Sequence, residues 1–184
     1  MATKEMLRKH ILEELSEMDK ITYEQRSQSI AEQLFQEETW KNAKNIGITI
    51  ARFPEIATQA IIERAWQDGK TVSIPETNNK TKDMQFRIYK DGDELCKKAL
   101  GLYEPTEHAI IAPKTTIDLL VVPGVLFRED GYRIGFGAGF YDRYLADYQG
   151  NTISLCYSNQ ITLNLIPESH DVPVQKLVIE NNMK

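Results

Sequence analysis

Cysteine is scarce in this sequence: Cys96 and Cys156 are the only two, and they have no metal-ligand spacing. At 184 residues the chain can build a substantial core without a disulfide scaffold, so the pair is expected to be reduced thiols in a cytoplasmic protein. Positive charge is not in excess either. Lys and Arg number 22 against 27 Asp and Glu, a net charge of −5, and no basic stripe stands out; a general nucleic-acid binder is disfavoured. A few local cations can still dominate one cleft and hold a small anion. The sequence has no long apolar span and no signal-peptide core, so neither a membrane-spanning helix nor secretion by that route is expected. Repeats, linkers and low-complexity tracts are also missing. The expectation is one domain over residues 1–184.

What is present centres on the stretch from Pro123 to Tyr148. Leu119-Leu120-Val121-Val122 is short enough to be a buried strand. A charged turn, Arg128-Glu129-Asp130-Gly131, leads to Gly135-Phe136-Gly137-Ala138-Gly139. Glycines at alternate positions let the backbone approach a ligand with its N–H groups turned toward an anion. After Gly139 the pattern becomes helical, with Tyr141, Leu145 and Tyr148 on one face and Asp142 in the first turn. A glycine loop that opens a helix suits phosphate.

The familiar phosphate motifs are absent. No Gly-Lys-Ser/Thr follows the glycines, and Phe140 stands where a dinucleotide fingerprint needs its third glycine. On the glycines alone, a tight turn packing a helix on a sheet is as good a reading as a nucleotide loop. Arg133 before the loop and Asp142 after it favour a ligand, because they place a cation and a potential magnesium ligand beside the same amides.

The remaining pattern alternates helices with strands. Residues 4–18 form an amphipathic helix with Thr3 as its cap and Leu7, Ile11, Leu12 and Leu15 as its apolar stripe. Lys4 and Arg8, four apart, point from one face. Thr22-Tyr23-Glu24-Gln25 has capping-box spacing and opens a second helix that buries Ile30, Leu34 and Phe35. Ile46 to Ala51 is the first core strand, followed by the loop Arg52-Phe53-Pro54-Glu55. Open α/β sheets bind ligands at such carboxyl ends, which makes Ile50 and Glu55 candidates. Thr58 to Gly69 is a helix, and Thr71–Pro75 and Met84–Tyr89 are strands. Leu95–Leu100 reads as a short helix and Gly101–Pro105 as irregular, with further strands at 117–123, 153–157 and 177–179. The expected fold class is α/β: a three-layer α/β/α sandwich around a mainly parallel sheet.

Arg133-Ile134-Gly135-Phe136-Gly137-Ala138-Gly139-Phe140-Tyr141-Asp142, after Pro123-Gly124-Val125 and Phe127, resembles the 5-formyltetrahydrofolate cyclo-ligase (methenyltetrahydrofolate synthetase) family. Lys4-x-x-x-Arg8, Glu55-Ile56-x-Thr58, Gly101-x-Tyr103-Glu104-Pro105 and His170-Asp171-Val172-Pro173 resemble its other segments in the same order. The resemblance implies a fold like that of the sugar-phosphate isomerase and CoA-transferase group. It implies ATP- and magnesium-dependent closure of 5-formyltetrahydrofolate to 5,10-methenyltetrahydrofolate, with ADP and phosphate released.

By the same resemblance Lys4, Arg8 and the run Arg133, Ile134, Gly135, Phe136, Gly137, Ala138, Gly139, Phe140 and Tyr141 would bind ATP. Ile50, Glu55 and Phe136 through Phe140 would meet the folate, and Asp142 and Asp171 would hold magnesium. Arg133 and Tyr141 are the implied catalytic residues. The implied partners are the reduced folate and ATP, with no nucleic acid or membrane, on a monomer or alternatively a homodimer. Phe136 and Ala138 stand where some relatives carry basic residues, and Phe140 where Tyr is frequent. Phosphate stabilisation would then rest on backbone amides, Arg133, Lys4, Arg8 and the metal.

Overall fold

A computed structural model describes residues 2–181. Helix α1 (Lys4–Ser16) begins where expected, with the Thr3 hydroxyl accepting from the Met6 N–H. Helix α2 (Lys20–Phe35) starts before the Thr22 capping box. Asp19 is its cap, and its carboxylate accepts from the Thr22 N–H at 2.8 Å. An ionised acid at that position also complements the helix dipole, which the Thr22 hydroxyl cannot do. Helix α3 (Glu38–Asn42) leads into β1 (Asn45–Gly47), shorter than the expected strand over 46–51. Next come α4 (Gln59–Gln67), β2 (Thr71–Thr77) and β3 (Met84–Ile88).

The expected helix over 95–100 is not formed. Residues Leu95–Lys97 are strand β4, followed by a 3-10 turn at Ala99–Gly101, and Tyr103–Pro105, read as irregular, is strand β5 paired antiparallel with β4. Here local helix propensity yields to cross-strand pairing against a neighbour that sequence alone does not specify. The chain continues through β6 (Ile111–Ala112), β7 (Leu119–Val121), β8 (Leu126–Phe127) and β9 (Arg133–Ile134). It ends with α5 (Phe140–Leu145), β10 (Asn151–Cys156) and β11 (Lys176–Ile179).

The main sheet runs β11-β10-β7-β1-β2-β3-β6. Its first five strands are mutually parallel, and β3 is antiparallel to both of its neighbours. Strand β7 shows why the sheet is covered on both faces. Leu119 and Val121 pack with Ile11, Ile30, Leu34 and Ile61 of α1, α2 and α4, whereas Leu120 and Val122 pack with Phe86, Tyr144 and Leu145. Period-2 alternation thus gives each layer its own core. Each fully buried Leu or Ile contributes roughly 1.5–3 kcal/mol relative to exposure. Gly47 at the sheet's centre lets the second layer close: a Cβ there would lie 2.7 Å from Leu120 Cδ1 and 3.1 Å from Phe86.

Helix α5 is shorter than its apolar pattern suggests. Tyr148 lies beyond its last residue yet packs on the same cluster as Tyr141 and Leu145, with its hydroxyl donating to Ile117 O at 2.9 Å.

The chain leaves β1 for β2 on one side, while β7 lies on the other. The crevice beyond the carboxyl ends of β1 and β7 is therefore a topological switch point, where open α/β sheets bind ligands.

Candidate active site

Two cavities open at that edge and share Pro123. The larger, about 280 Å³, is walled by Lys4, Arg8, all of Arg133 through Asp142, Glu168, His170 and Asp171. The smaller, about 40 Å³, lies between the segments after β1 and β7 and is walled by Thr49, Glu55, Thr58, Gly124 and Gln160 among others. Tertiary structure thus gathers residues from both ends of the chain around the glycine loop.

Strand β9 is held in a ribbon with β8, with Val125 N–H donating to Ile134 O at 2.7 Å, and this fixes where the loop leaves the core. Gly137 and Gly139 have φ of +103° and +74°, which a side chain rarely adopts. Among the described residues, none of the N–H groups of Phe136, Gly137, Ala138 and Gly139 donates to another backbone carbonyl. Arg8 braces the loop: its Nε donates to Gly135 O at 2.7 Å, and its guanidinium carbon lies 3.7 Å from where a Gly137 Cβ would sit. The loop is set open, amides free, by a side chain from α1.

Lys4 and Arg8 reach one cavity but do not grip one point. Lys4 Nζ bridges Asp171 Oδ2 and Glu168 Oε1, each at 3.1 Å, while Arg8 holds the loop carbonyl. Burial works against the Lys4 ammonium, yet the two carboxylates outweigh it and hold its pKa above the ordinary value. Asp171 is also partly desolvated, but the Glu168 N–H (2.8 Å) and Lys4 keep its carboxyl below the usual range. Both groups are firmly ionised.

Arg133 is deeply buried at the wall of the larger cavity. Its side chain is 4% exposed; Nη1 donates to Val172 O at 2.9 Å and Nη2 to Asp142 Oδ1 at 3.3 Å. The same Asp142 oxygen accepts from Val172 N–H at 3.1 Å. Arg133 and Asp142 thereby clamp the 172 segment against the glycine loop. Burial depresses the guanidinium pKa, with Asp142 opposing.

Tyr141 also lines the large cavity, and its hydroxyl is buried with no hydrogen-bond partner. Burial raises its pKa, Glu55 adds to the rise and Arg133 opposes it. An orphaned buried hydroxyl is costly unless something else satisfies it.

Glu55 stands in the smaller cavity, where its Oε2 accepts the Arg52 N–H at 2.9 Å; burial raises its pKa and the Arg52 N–H opposes. Ile50 packs, partly buried, against the helical-face core and lines neither of these two cavities.

Asp142 and Asp171 each commit one oxygen, Oδ1 and Oδ2 respectively, to protein donors. Among the described residues no three His, Cys, Asp or Glu side chains form a metal-holding group. Among the described residues Asp142 Oδ2 makes no hydrogen bond and Asp171 Oδ1 faces only His170 Nε2 at 3.5 Å; such carboxylates suit magnesium, which keeps several waters and takes phosphate oxygens, better than a metal needing a full protein cage. The donor set fits a magnesium ion arriving with nucleotide phosphates.

Two features of the site lay outside the sequence reading. Glu168 has only its i, i+3 spacing to Asp171 as a signal, a turn in which Asp171 N–H donates to Glu168 O. Thr58, expected as a helix start, is indeed the N-cap residue of α4, and its side chain also ties the loop after β1: its hydroxyl donates to Thr49 O and accepts from Ala51 N–H.

Fold and cavity together define a three-layer α/β protein with a glycine-loop cavity at the carboxyl edge of a mainly parallel sheet. Comparison with known proteins narrows that class. The sequence matches the 5-formyltetrahydrofolate cyclo-ligase family over residues 1–180, and the chain belongs to that family.

It is 32% identical over 144 residues to the 5-formyltetrahydrofolate cyclo-ligase of Haemophilus influenzae, covering 76% of this chain and 77% of that one. Its fold resembles the 5,10-methenyltetrahydrofolate synthetase of Aquifex aeolicus, with a TM-score of 0.84 and 26% identity over 97% of this chain and 90% of that one. The Mycoplasma pneumoniae synthetase superposes with a TM-score of 0.77 at 22% identity, over 96% and 98% of the two chains.

Proposed function

We propose that this protein closes 5-formyltetrahydrofolate to 5,10-methenyltetrahydrofolate, converting ATP to ADP and phosphate, with residues 1–184 acting as one catalytic domain. The observation that carries this reading is the braced glycine loop, its free amides facing a cavity that also holds Lys4, Arg8, Asp142 and Asp171.

An amide carbonyl is a poor electrophile and its oxygen a poor leaving group. Attack of the formyl oxygen on the γ-phosphate makes that oxygen a phosphate ester and releases ADP. The side-arm nitrogen then adds to the activated carbon and loses its proton, and phosphate leaves with the oxygen. Phosphoryl transfer depends on positioning and charge neutralisation rather than on a protein nucleophile. The amides of residues 136–139 and the free guanidinium edge of Arg8 face the phosphates. Lys4 balances Asp171, and Arg133 holds the loop and Asp142 in place, a positioning role. Asp142 and Asp171 would hold magnesium, which neutralises phosphate charge when bound. The Glu55 carboxylate at the neighbouring cavity accepts the N–H groups of the reduced pterin, and the Tyr141 hydroxyl finds its missing partner in bound substrate.

The test is near-ultraviolet absorbance of the protein with 5-formyltetrahydrofolate and magnesium. A methenyl chromophore that grows only with ATP supports the reading; none, with both ligands bound by calorimetry, overturns it.

A further inference from the structure

The β2–β3 connection carries a cation that none of these roles uses. Lys82 has φ of +63°, the only non-glycine residue in the left-handed region among those described. The turn that holds it is closed by Lys82 N–H donating to Asn78 O (2.8 Å) and Asn78 N–H to Asp83 O (2.9 Å), with Asn78 Oδ1 accepting from Lys80 and Thr81 N–H. Gly or Asn would meet the left-handed requirement more cheaply, so a lysine there carries a backbone cost that calls for a return. Its ammonium lies 5.9 Å from the centroid of the Phe140 ring, and Phe140 walls the large cavity. The lysine is half-buried, and its ammonium makes no salt bridge or hydrogen bond with the described residues, whereas Lys4, Lys70, Lys114 and Lys176 all find oxygen partners.

The glycine loop itself lacks side-chain cations between Gly135 and Phe140. We infer that Lys82 is a specificity residue that supplies this cation from another element, its ammonium resting on Phe140 and engaging an oxyanion of the bound substrate. That oxyanion is either a phosphate of the nucleotide or the glutamate carboxylate of the folate; both are anions that a lysine ammonium recognises. The inference rests on the functional reading above only for the identity of the two ligands.

The experiment compares the full chain with Lys82→Asn, neutral yet tolerant of a left-handed backbone, and Lys82→Arg, which keeps the charge. Calorimetry measures dissociation constants for magnesium-ATP and for 5-formyltetrahydrofolate separately, with thermal melts to check folding. Lys82→Asn should weaken one ligand about tenfold with an unchanged melt, and Lys82→Arg should restore most of the loss. Loss confined to ATP places the contact on a phosphate, and loss confined to the folate places it on the carboxylate. Unchanged affinity for both, or an equal loss with Arg and Asn, overturns the assignment. Because binding is read without turnover, an inactive wild type would count against the proposed reaction and leave the Lys82 result standing.

Discussion

Removing the Arg133 guanidinium tests whether this residue is an anchor or a catalyst. Arg133→Met keeps most of the side chain's volume and removes its charge and its donors. Three losses follow: the bond to Val172 O, the bond to Asp142, and the charge that balances Asp142 in a site where the two side chains are 4% and 23% exposed. Stripping one partner from a buried pair typically costs about 3–5 kcal/mol, and the net loss of a hydrogen bond to a neutral carbonyl about 1 kcal/mol. The pair's 3.3 Å separation and the partial exposure of Asp142 place the total near the low end, about 3 kcal/mol. Urea denaturation of wild type, Arg133→Met, Asp142→Asn and the double variant measures it. The double variant should be less destabilised than Arg133→Met alone, because no unbalanced carboxylate is left in the clamp. Arg133→Lys should recover little, since one ammonium cannot span both acceptors. A loss below about 1 kcal/mol in Arg133→Met, with ATP binding abolished, would refute the anchoring argument and return Arg133 to the phosphates.

Asp142→Asn keeps an oxygen for the Val172 N–H, so it should fold while magnesium-dependent turnover falls by about two orders of magnitude; an active variant would remove the metal assignment. Tyr141→Phe deletes a buried hydroxyl without a partner, so its melting temperature should match or exceed wild type while substrate affinity falls; a clear destabilisation would reveal a partner the free protein already supplies. Glu55 has a carboxyl whose folded pKa lies above its ordinary 4.5, with burial the leading cause. The folded state therefore binds this proton more tightly than the unfolded one, and the contribution of Glu55 to stability declines as pH rises from the unfolded value through the raised folded value. Glu55→Gln should gain on wild type across that window, measured as the difference in melting temperature against pH, and a gap that shrinks with rising pH would contradict the burial argument.

Much of this protein was legible in the chain alone, where the physics is local. Alternation and apolar runs placed β2, β3, β7, β10 and β11, because a side chain's face in a strand depends only on its position along it. The glycines of 135–139 announced a loop whose backbone could approach a ligand closely; that two of them adopt positive φ is what the structure adds. Thr3 was legible as a cap because the N–H it accepts from, that of Met6, is only three residues away.

Tertiary structure decided everything that spans distance. The β4–β5 ribbon overrode a helical pattern, since pairing energy comes from a partner strand and not from local propensity. Lys4 meets Asp171 across 167 residues, and Arg8 meets Gly135 across 127, separations at which spacing carries no information. Arg133 was legible as a cation beside the glycines; its burial against Val172 and Asp142 was not, and that burial makes it a clamp. Lys82 gave no sequence signal at all, because its place beside Phe140 depends on how the β2–β3 turn packs over α5. The residue types of the site were written locally, and the fold alone settled which of them face one another.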